Sequence, residues 1–439
     1  MLKSKEELTK IAEKSILIGK KFGATDVEIS LSNSISDTIS FRNKKIEQSD
    51  RSEILSLGLT TYVGKKKSNV STSNFNENNL EKLIERCIDC SKVSPEDKNA
   101  GLPSKEDLEN NSIDLDLFDK TILNNDFKKN FLSEMEEEMF LNPKIKNSNG
   151  SSFSENKSNF IFANSDGFCD GYKTSSFSVF CEALAEENGS MERDYEMSVN
   201  RFSKKLDDPK KIGKSAADNA CKRLHARKIN SGKMTIIFDK RIAKSLVSIF
   251  GSAINGSSFA RGVSFLKNSL GKKIFNKNIN IVDDPLINQA LGSQCFDGEG
   301  VQNKKIKLVE NGVLKDLFLD TYNSKILGMK TNGRCGGSTN FFLDNGELEI
   351  NKLISEQKKA FFVKELIGRA GDITNGNYSV GASGILIENG EETYPVNEVT
   401  IAGNLNDMFQ NLFAANDLEF KSSINSPTLL IDGMTVAGR

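Results

Sequence analysis

The sequence predicts an α+β fold, with an N-terminal α/β region of antiparallel sheet and flanking helices followed by a C-terminal strand-rich domain with a mixed, curved sheet. Three observations carry that expectation. Helical and period-two apolar patterns both occur in the first 206 residues. Asn-Gly and Asp-Gly dipeptides, which accept the positive φ angles of tight hairpin turns, recur between strand-like runs. Beyond Lys233, strand signals dominate. At 439 residues the chain has room for more than one core, and the expected division is 1–206 with a connector near 94–112, a linker helix at 207–232 and a strand-rich domain at 233–439.

Taken in order, Lys5 to Phe22 reads as an amphipathic helix, with Leu8, Ile11, Ala12 and Ile18 at helical spacing and Gly23 ending it. Val27–Leu31 and Ile54–Val63 read as strands, and Asn78–Val93 as a helix with Leu80, Leu83, Ile84 and Cys87 on its apolar face. Ser94–Ser112 is polar and carries two of the seven prolines, as a connector does. A helix from about Phe127 to Leu141 should expose Glu134 and Glu136–Glu138. Asn159–Ala163, Tyr172–Ala185 and Met191–Asn200, joined at Asp166-Gly167 and Asn188-Gly189, form a meander belonging to the same layer. Asp208-Pro209 then caps a helix running to His225. The cations that follow, Lys222, Arg223, His225, Arg227 and Lys228, are read as complements to a helix C-terminus rather than as an anion or nucleic-acid patch.

In the second half, Met234–Phe238 is a buried strand and Arg241 to about Ile254 a helix capped by Asp239, with Ile242, Leu246, Ile249 and Ala253 on one face. Lys305–Val309 pairs with Val313–Leu319 across Asn311-Gly312. Phe361–Leu366 leads into a Gly-rich ribbon from Gly368 to Asn404. The ribbon's second half is a hairpin about Asn389-Gly390; its first half, with Gly371, Gly376, Gly381 and Gly384, is too glycine-dense for ordinary strand. Leu405–Leu418 is expected as a helix and Thr428–Val436 as the closing strand.

Composition limits the function classes. Lys+Arg 59 against Asp+Glu 60 argues against a globally basic nucleic-acid binder. Seven scattered cysteines fit a reducing cytoplasm, no apolar run reaches membrane-spanning length, and Cys87-Ile-Asp-Cys90 is read as packing at a helix end.

Several motifs occur in a telling order: Gly328–Asn340 (GMKTNGRCGGSTN), Gly376-Asn-Tyr-Ser379, Gly381-Ala-Ser-Gly384 and Tyr394–Asn404 (YPVNEVTIAGN). Together they closely resemble the C-terminal domain of the TldD/PmbA family, within it the PmbA (TldE) branch, and the resemblance runs from about Val27 to Arg439. It implies a cytoplasmic metalloprotease of two related subunits, in which TldD-type chains carry an HExxxH zinc motif and PmbA-type chains lack it. Aligning Phe259–Gly262 with the family pattern puts that slot at Ser248–Ala253, where no residue is a good zinc ligand; the chain has a single histidine, His225. The cysteine that TldD-type chains carry near the C-terminus has no counterpart in Lys421–Ser426.

The resemblance therefore implies no catalytic and no metal-binding residue in this chain, zinc in a TldD-type partner, and peptide as substrate. Backbone free of bulky side chains suits a peptide held by β-pairing, which makes Gly336, Gly337, Ser338, Tyr378, Ser379, Gly381, Ala382, Ser383 and Gly384 the candidate substrate-track residues. Asp297, Glu299 and Asp320 could orient a peptide amine or cap turns, and are read as turn caps. The alternatives are a non-enzymatic peptide-binding or regulatory homodimer, the role behind the older family name of modulator of DNA gyrase, and an enzyme using Ser379 or Cys335 as nucleophile, which lacks a nearby base.

Overall fold

Alternation of apolar and polar residues builds the N-terminal sheet. In the computed structural model, which describes residues 2–73, 77–111 and 113–438, that half comprises α1 (Lys5–Lys21), β1 (Asp26–Arg42), β2 (Lys45–Val63), β3 (Lys66–Thr72), α2 (Glu77–Val93), α3 (Asn125–Met139), β4 (Ile145–Asn164), β5 (Cys169–Glu187), β6 (Ser190–Asn200) and α4 (Pro209–Cys221). The strands form one antiparallel sheet of six in the order β3-β2-β1-β4-β5-β6. Along β1, Val27, Ile29 and Leu31 pack under α1 and α2, while Ile39 and Phe41, on the same face, pack under α3 and α4. Ser4 and Glu7 close a capping box at the start of α1, which satisfies two orphan N–H groups.

Three expectations change here. Strands β1 and β2 run well beyond their apolar stretches, because pairing to two neighbours satisfies the backbone where side chains are polar. Glu136 is fully buried rather than solvated: its carboxylate accepts the Lys44 N–H at 2.9 Å and the Ser151 hydroxyl at 3.4 Å. Helix α4 ends at Cys221, and His225 stands beyond it at a φ of 62°. Ile212, Ala216 and Ala220 of α4 lie in the core shared with α3 and the sheet.

The C-terminal half contains β7 (Gly232–Phe238), α5 (Lys240–Ala253), α6 (Gly256–Ala260), β8 (Ile281–Asp283), β9 (Ile306–Glu310), β10 (Val313–Leu314), α7 (Thr321–Leu327), β11 (Phe341–Leu343), α8 (Ile350–Ser355), β12 (Lys359–Ile367), β13 (Asn377–Glu388), β14 (Glu391–Asn404), α9 (Leu405–Gln410), β15 (Leu412–Ala414), β16 (Ile424–Asn425) and β17 (Leu429–Ala437). Both of its sheets are mixed: β7 runs parallel to β12, and β11 parallel to β16. The larger sheet, β14-β13-β12-β7-β17-β15, curls until β14 pairs with β17, so five strands close into a ring. The smaller sheet has the order β10-β9-β8-β11-β16. One core joins the two, with Leu246, Val247 and Phe250 of α5 and Met408 and Phe409 of α9 inside it. The buried face of α5 is wider than its period suggested, because helix and both sheets meet there: Ala243, Val247 and Phe250 are buried, Ile242 and Ile249 only partly.

The ribbon also differs from expectation. Its glycine-dense part, from Asn377 onward, is regular strand interrupted by bulges between Ala382 and Gly384 and between Ile385 and Ile387. Helix α9 has six residues instead of reaching Leu418, because Leu412–Ala414 pairs with β17. The hairpin after Asn311-Gly312 pairs only Val313 and Leu314.

Candidate functional site

Two seams join the halves. On the face of the N-terminal sheet away from its helices, Phe160, Phe162, Phe168 and Tyr172 pack with Phe296 and Cys295 of the C-terminal half. Beside them the Arg201 guanidinium, nearly buried, donates to the carbonyls of Ser175, Ala290 and Leu291. At the other seam opens a cavity of about 880 Å³, walled by β6, the end of α4, the start of α5, parts of β13 and β14, and the segment 419–426.

Strand β6 is an edge strand, and among the described residues its ladder runs only to β5. The residues that point backbone groups away from β5 are identifiable. The Tyr195 N–H bonds to its neighbour's Asp194 carboxylate at 2.7 Å, and the Met197 N–H to Glu196 at 3.1 Å, while the Tyr195 carbonyl accepts from Arg241. The cavity is thus bordered by backbone donors whose present acceptors are side-chain carboxylates of the preceding residues and not a further strand.

Charge holds this seam together. Arg223 reaches Glu192, Asp194 and Glu365 and donates to the Ser383 hydroxyl at 3.0 Å. Arg241 lies 3.3 Å from Asp194, and Lys364 2.9 Å from Asp239. Burial works against the Asp239 carboxylate, but Lys364 and the Arg241 N–H hold its pKa below the usual range. The basic cluster after α4 is therefore neither a bare helix-end complement nor a free basic patch: His225 Nε2 lies 2.9 Å from Glu187, Lys228 2.9 Å from Glu398, and Arg227 sits over the Tyr394 ring. Sequence spacing could not supply this, since the partners lie on β5, β6, β12 and β14.

The slot residues on α5 offer hydroxyls and hydrocarbon. Ser248 lines a second recess continuous with this region, Ser252 bonds back to the Ser248 carbonyl, Phe250 and Ala253 are core, and Gly251 faces Phe341. Such a donor set does not fit zinc. Segment 421–426 borders both recesses.

Of the expected track residues, Ser383 and Gly384 line the cavity, and Gly381 and Ala382 precede them on β13 with Ala382 in the core. Tyr378 is core, its hydroxyl without a partner among the described residues, and Ser379 is exposed and pairs with Ala402. Gly336, Gly337 and Ser338 do not border the cavity; they form a turn with φ of 104° and 98° at the two glycines. That turn is anchored by a feature the sequence did not reveal. Arg334 and Asp283, both fully buried, lie 3.1 Å apart, Arg334 also donates to the carbonyls of Asn332, Gly333 and Lys304, and Asp283 accepts the Thr339 N–H.

Asp297 caps a turn, accepting the N–H groups of Glu299, Val301 and Cys335, and Asp320 caps α7, whereas Glu299 accepts the Thr321 N–H. Burial, then the nearby Glu299, Asp297 and Asp320 carboxylates, push the Cys335 thiol far up, which argues against a thiolate nucleophile there. Cys87 is buried and accepts from Thr61, as a packing residue does, while Cys90 is exposed.

Comparison with known proteins identifies the domains. The family descriptions PmbA/TldA metallopeptidase domain 1, central domain and C-terminal domain match residues 27–91, 119–224 and 231–438. The chain is 32% identical to the metalloprotease PmbA homolog of Haemophilus influenzae over 100% of its own length and 98% of that protein. It is 32% identical to metalloprotease PmbA of Escherichia coli O157:H7, over 96% of this chain and 93% of that one. A crystal structure from Bacteroides thetaiotaomicron, of a protein described as a proposed modulator of DNA gyrase, superposes with a TM-score of 0.92 at 27% identity, covering 99% of each chain. Among the described residues, no helix is long and apolar enough to cross a membrane.

Proposed function

The chain belongs to the PmbA/TldA metallopeptidase family, and from that premise we propose that it is the metal-free, PmbA-type subunit of a cytoplasmic peptide-degrading metalloprotease, paired with a TldD-type zinc subunit. In this reading it holds substrate and helps assemble the complex, while the partner supplies the metal. The slot on α5 supports the metal-free role, since Ser248, Ser252 and their apolar neighbours cannot build a zinc site.

The observation that carries the peptide-holding role is the edge of β6 along the cavity, which pairs with no second strand among the described residues. An extended peptide can add to that edge as a further strand, taking the Tyr195 and Met197 N–H groups in place of the Asp194 and Glu196 carboxylates. Holding the peptide extended fixes its scissile bond relative to a facing subunit, and positioning of that kind accelerates reaction without any chemistry by the holder. The test is Met197→Pro, which removes one outward donor and leaves the β5 ladder intact. Binding of a fluorescent, N-acetylated, C-amidated peptide should weaken several-fold, measured by anisotropy. Unchanged binding by the folded variant would refute the edge as the track.

A further inference from the structure

The recess beside the cavity holds one cation that its ion pairs leave out. Five cations line it, Arg193, Arg223, Arg241, Lys244 and Lys364, against the two carboxylates Asp194 and Glu365. Three carboxylates from outside the lining make up the difference in number, yet none of them reaches Lys244. Arg193 meets Glu182, Arg223 meets Glu192, and Arg241 and Lys364 share Asp239. Lys244 is the exception: it borders both the recess and the cavity, and among the described residues no carboxylate or other acceptor stands against its ammonium. It is the fifth residue of α5, away from the C-terminal end where the helix dipole would favour a cation, so helix stability does not account for it either. The next residue supplies an independent sign. Ser245 lines the same recess, and its hydroxyl oxygen is buried with no hydrogen-bond partner among the described residues. A half-buried cation and a buried hydroxyl lining one recess, both without an acceptor among the described residues, point to an anion with hydrogen-bond-accepting oxygens.

We propose that Lys244 and Ser245 form a receptor for a carboxylate carried by the bound peptide. This rests on the reading of β6 as the peptide edge, since Tyr195 lines both the recess and the cavity and brings a strand-added peptide past Lys244. Partial burial lowers the Lys244 pKa, in keeping with an ammonium that has lost some of its water. The carboxylate has two sources, the peptide's C-terminus or an Asp or Glu side chain, and the chemistry of the receptor is the same for both.

The test uses the full chain and three N-acetylated fluorescent peptides of one apolar sequence: a free C-terminal acid, the C-terminal amide, and the amide with one internal Glu. The wild type should bind at least one carboxylate peptide on the order of tenfold more tightly than the plain amide. Preference for the free acid or for the Glu peptide identifies the source. Lys244→Met should abolish the preference without changing affinity for the plain amide, and Lys244→Arg should retain much of it. Ser245→Ala, which removes only a hydroxyl, should reduce it and serves if Lys244→Met fails to fold. Equal affinity for all three peptides, or a preference that survives both Lys244→Met and Ser245→Ala, overturns the receptor while leaving the β6 reading in place. No binding of any peptide refutes both.

Discussion

Gly384 lies on the cavity wall, yet its absent side chain serves the fold first. A Cβ at this position would stand 2.0 Å from the Phe362 carbonyl oxygen and 2.8 Å from the Phe362 carbonyl carbon and Val363 Cα, all backbone of β12. No rotamer change relieves a clash with backbone. The β12–β13 pairing must open by an ångström or more, within a ring whose closure depends on it. Overpacking costs roughly 1–3 kcal/mol where side chains can give way; with the β12 backbone as the obstacle, Gly384→Ala should cost about 3 kcal/mol or more. Gly381 is the internal control. Its Cβ would meet only Ile367, at 3.1 Å from the carbonyl oxygen and 3.2 Å from Cβ, near the open end of β12. Gly381→Ala should therefore change stability by about 1 kcal/mol or less, since the strain is offset by the reduced freedom of the unfolded chain. Urea unfolding followed by circular dichroism, with hydrogen exchange on β12 and β13, measures both variants. Equal midpoints and equal protection of the β12–β13 ladder would refute the reasoning. The result matters for function as well, because lost peptide binding in a Gly384 variant reports on the ring before it reports on a substrate track.

Three further outcomes follow from buried charge. Arg334→Met strands the Asp283 carboxylate, with both side chains at 0% exposure, and should cost roughly 3–5 kcal/mol in urea unfolding; Arg334→Lys should recover little, because its carbonyl bonds need the guanidinium fork. Glu28 is pushed up to about 7 by burial first and by the Glu299 carboxylate second. A carboxyl group raised in the folded state contributes stability that is full below its unfolded pKa and is lost as pH rises through its folded one, so from about pH 5 to 8 the wild type should lose on the order of 2 kcal/mol relative to Glu28→Gln; parallel pH–stability curves would contradict this. Arg201→Ala removes charged hydrogen bonds across the aromatic seam and should speed hydrogen exchange at 287–295, with a cost of about 2 kcal/mol or more.

Local signals were legible wherever one stretch of chain contains its own instructions. The capping residues Asp208, Asp239 and Asn404, the turns at Asn188, Asn311 and Asn389, and the amphipathic α1, α2 and α4 are all visible as sequence patterns. What failed to show was set by partners distant in sequence. Glu136 is buried because Lys44 and Ser151 come to it, and the glycines of β13 sit in regular strand because β12 approaches so closely. The candidate site behaves likewise. Ser383 and Gly384 were marked by glycine density, but the β6 edge carries no signal beyond ordinary strand alternation, and Lys244 reads as one more solvated helix cation until its surroundings are known.

The division of labour is tested most directly by reconstitution. The purified chain, a TldD-type chain from the same source, and their mixture are each assayed for zinc by elemental analysis and for cleavage of an unstructured peptide. The account predicts that this chain alone holds no stoichiometric zinc and cleaves nothing, and that the mixture forms a complex whose zinc travels with the partner and whose peptidase rate far exceeds that of either chain. One zinc per chain on this protein alone, or full activity of the partner without it, would contradict the account.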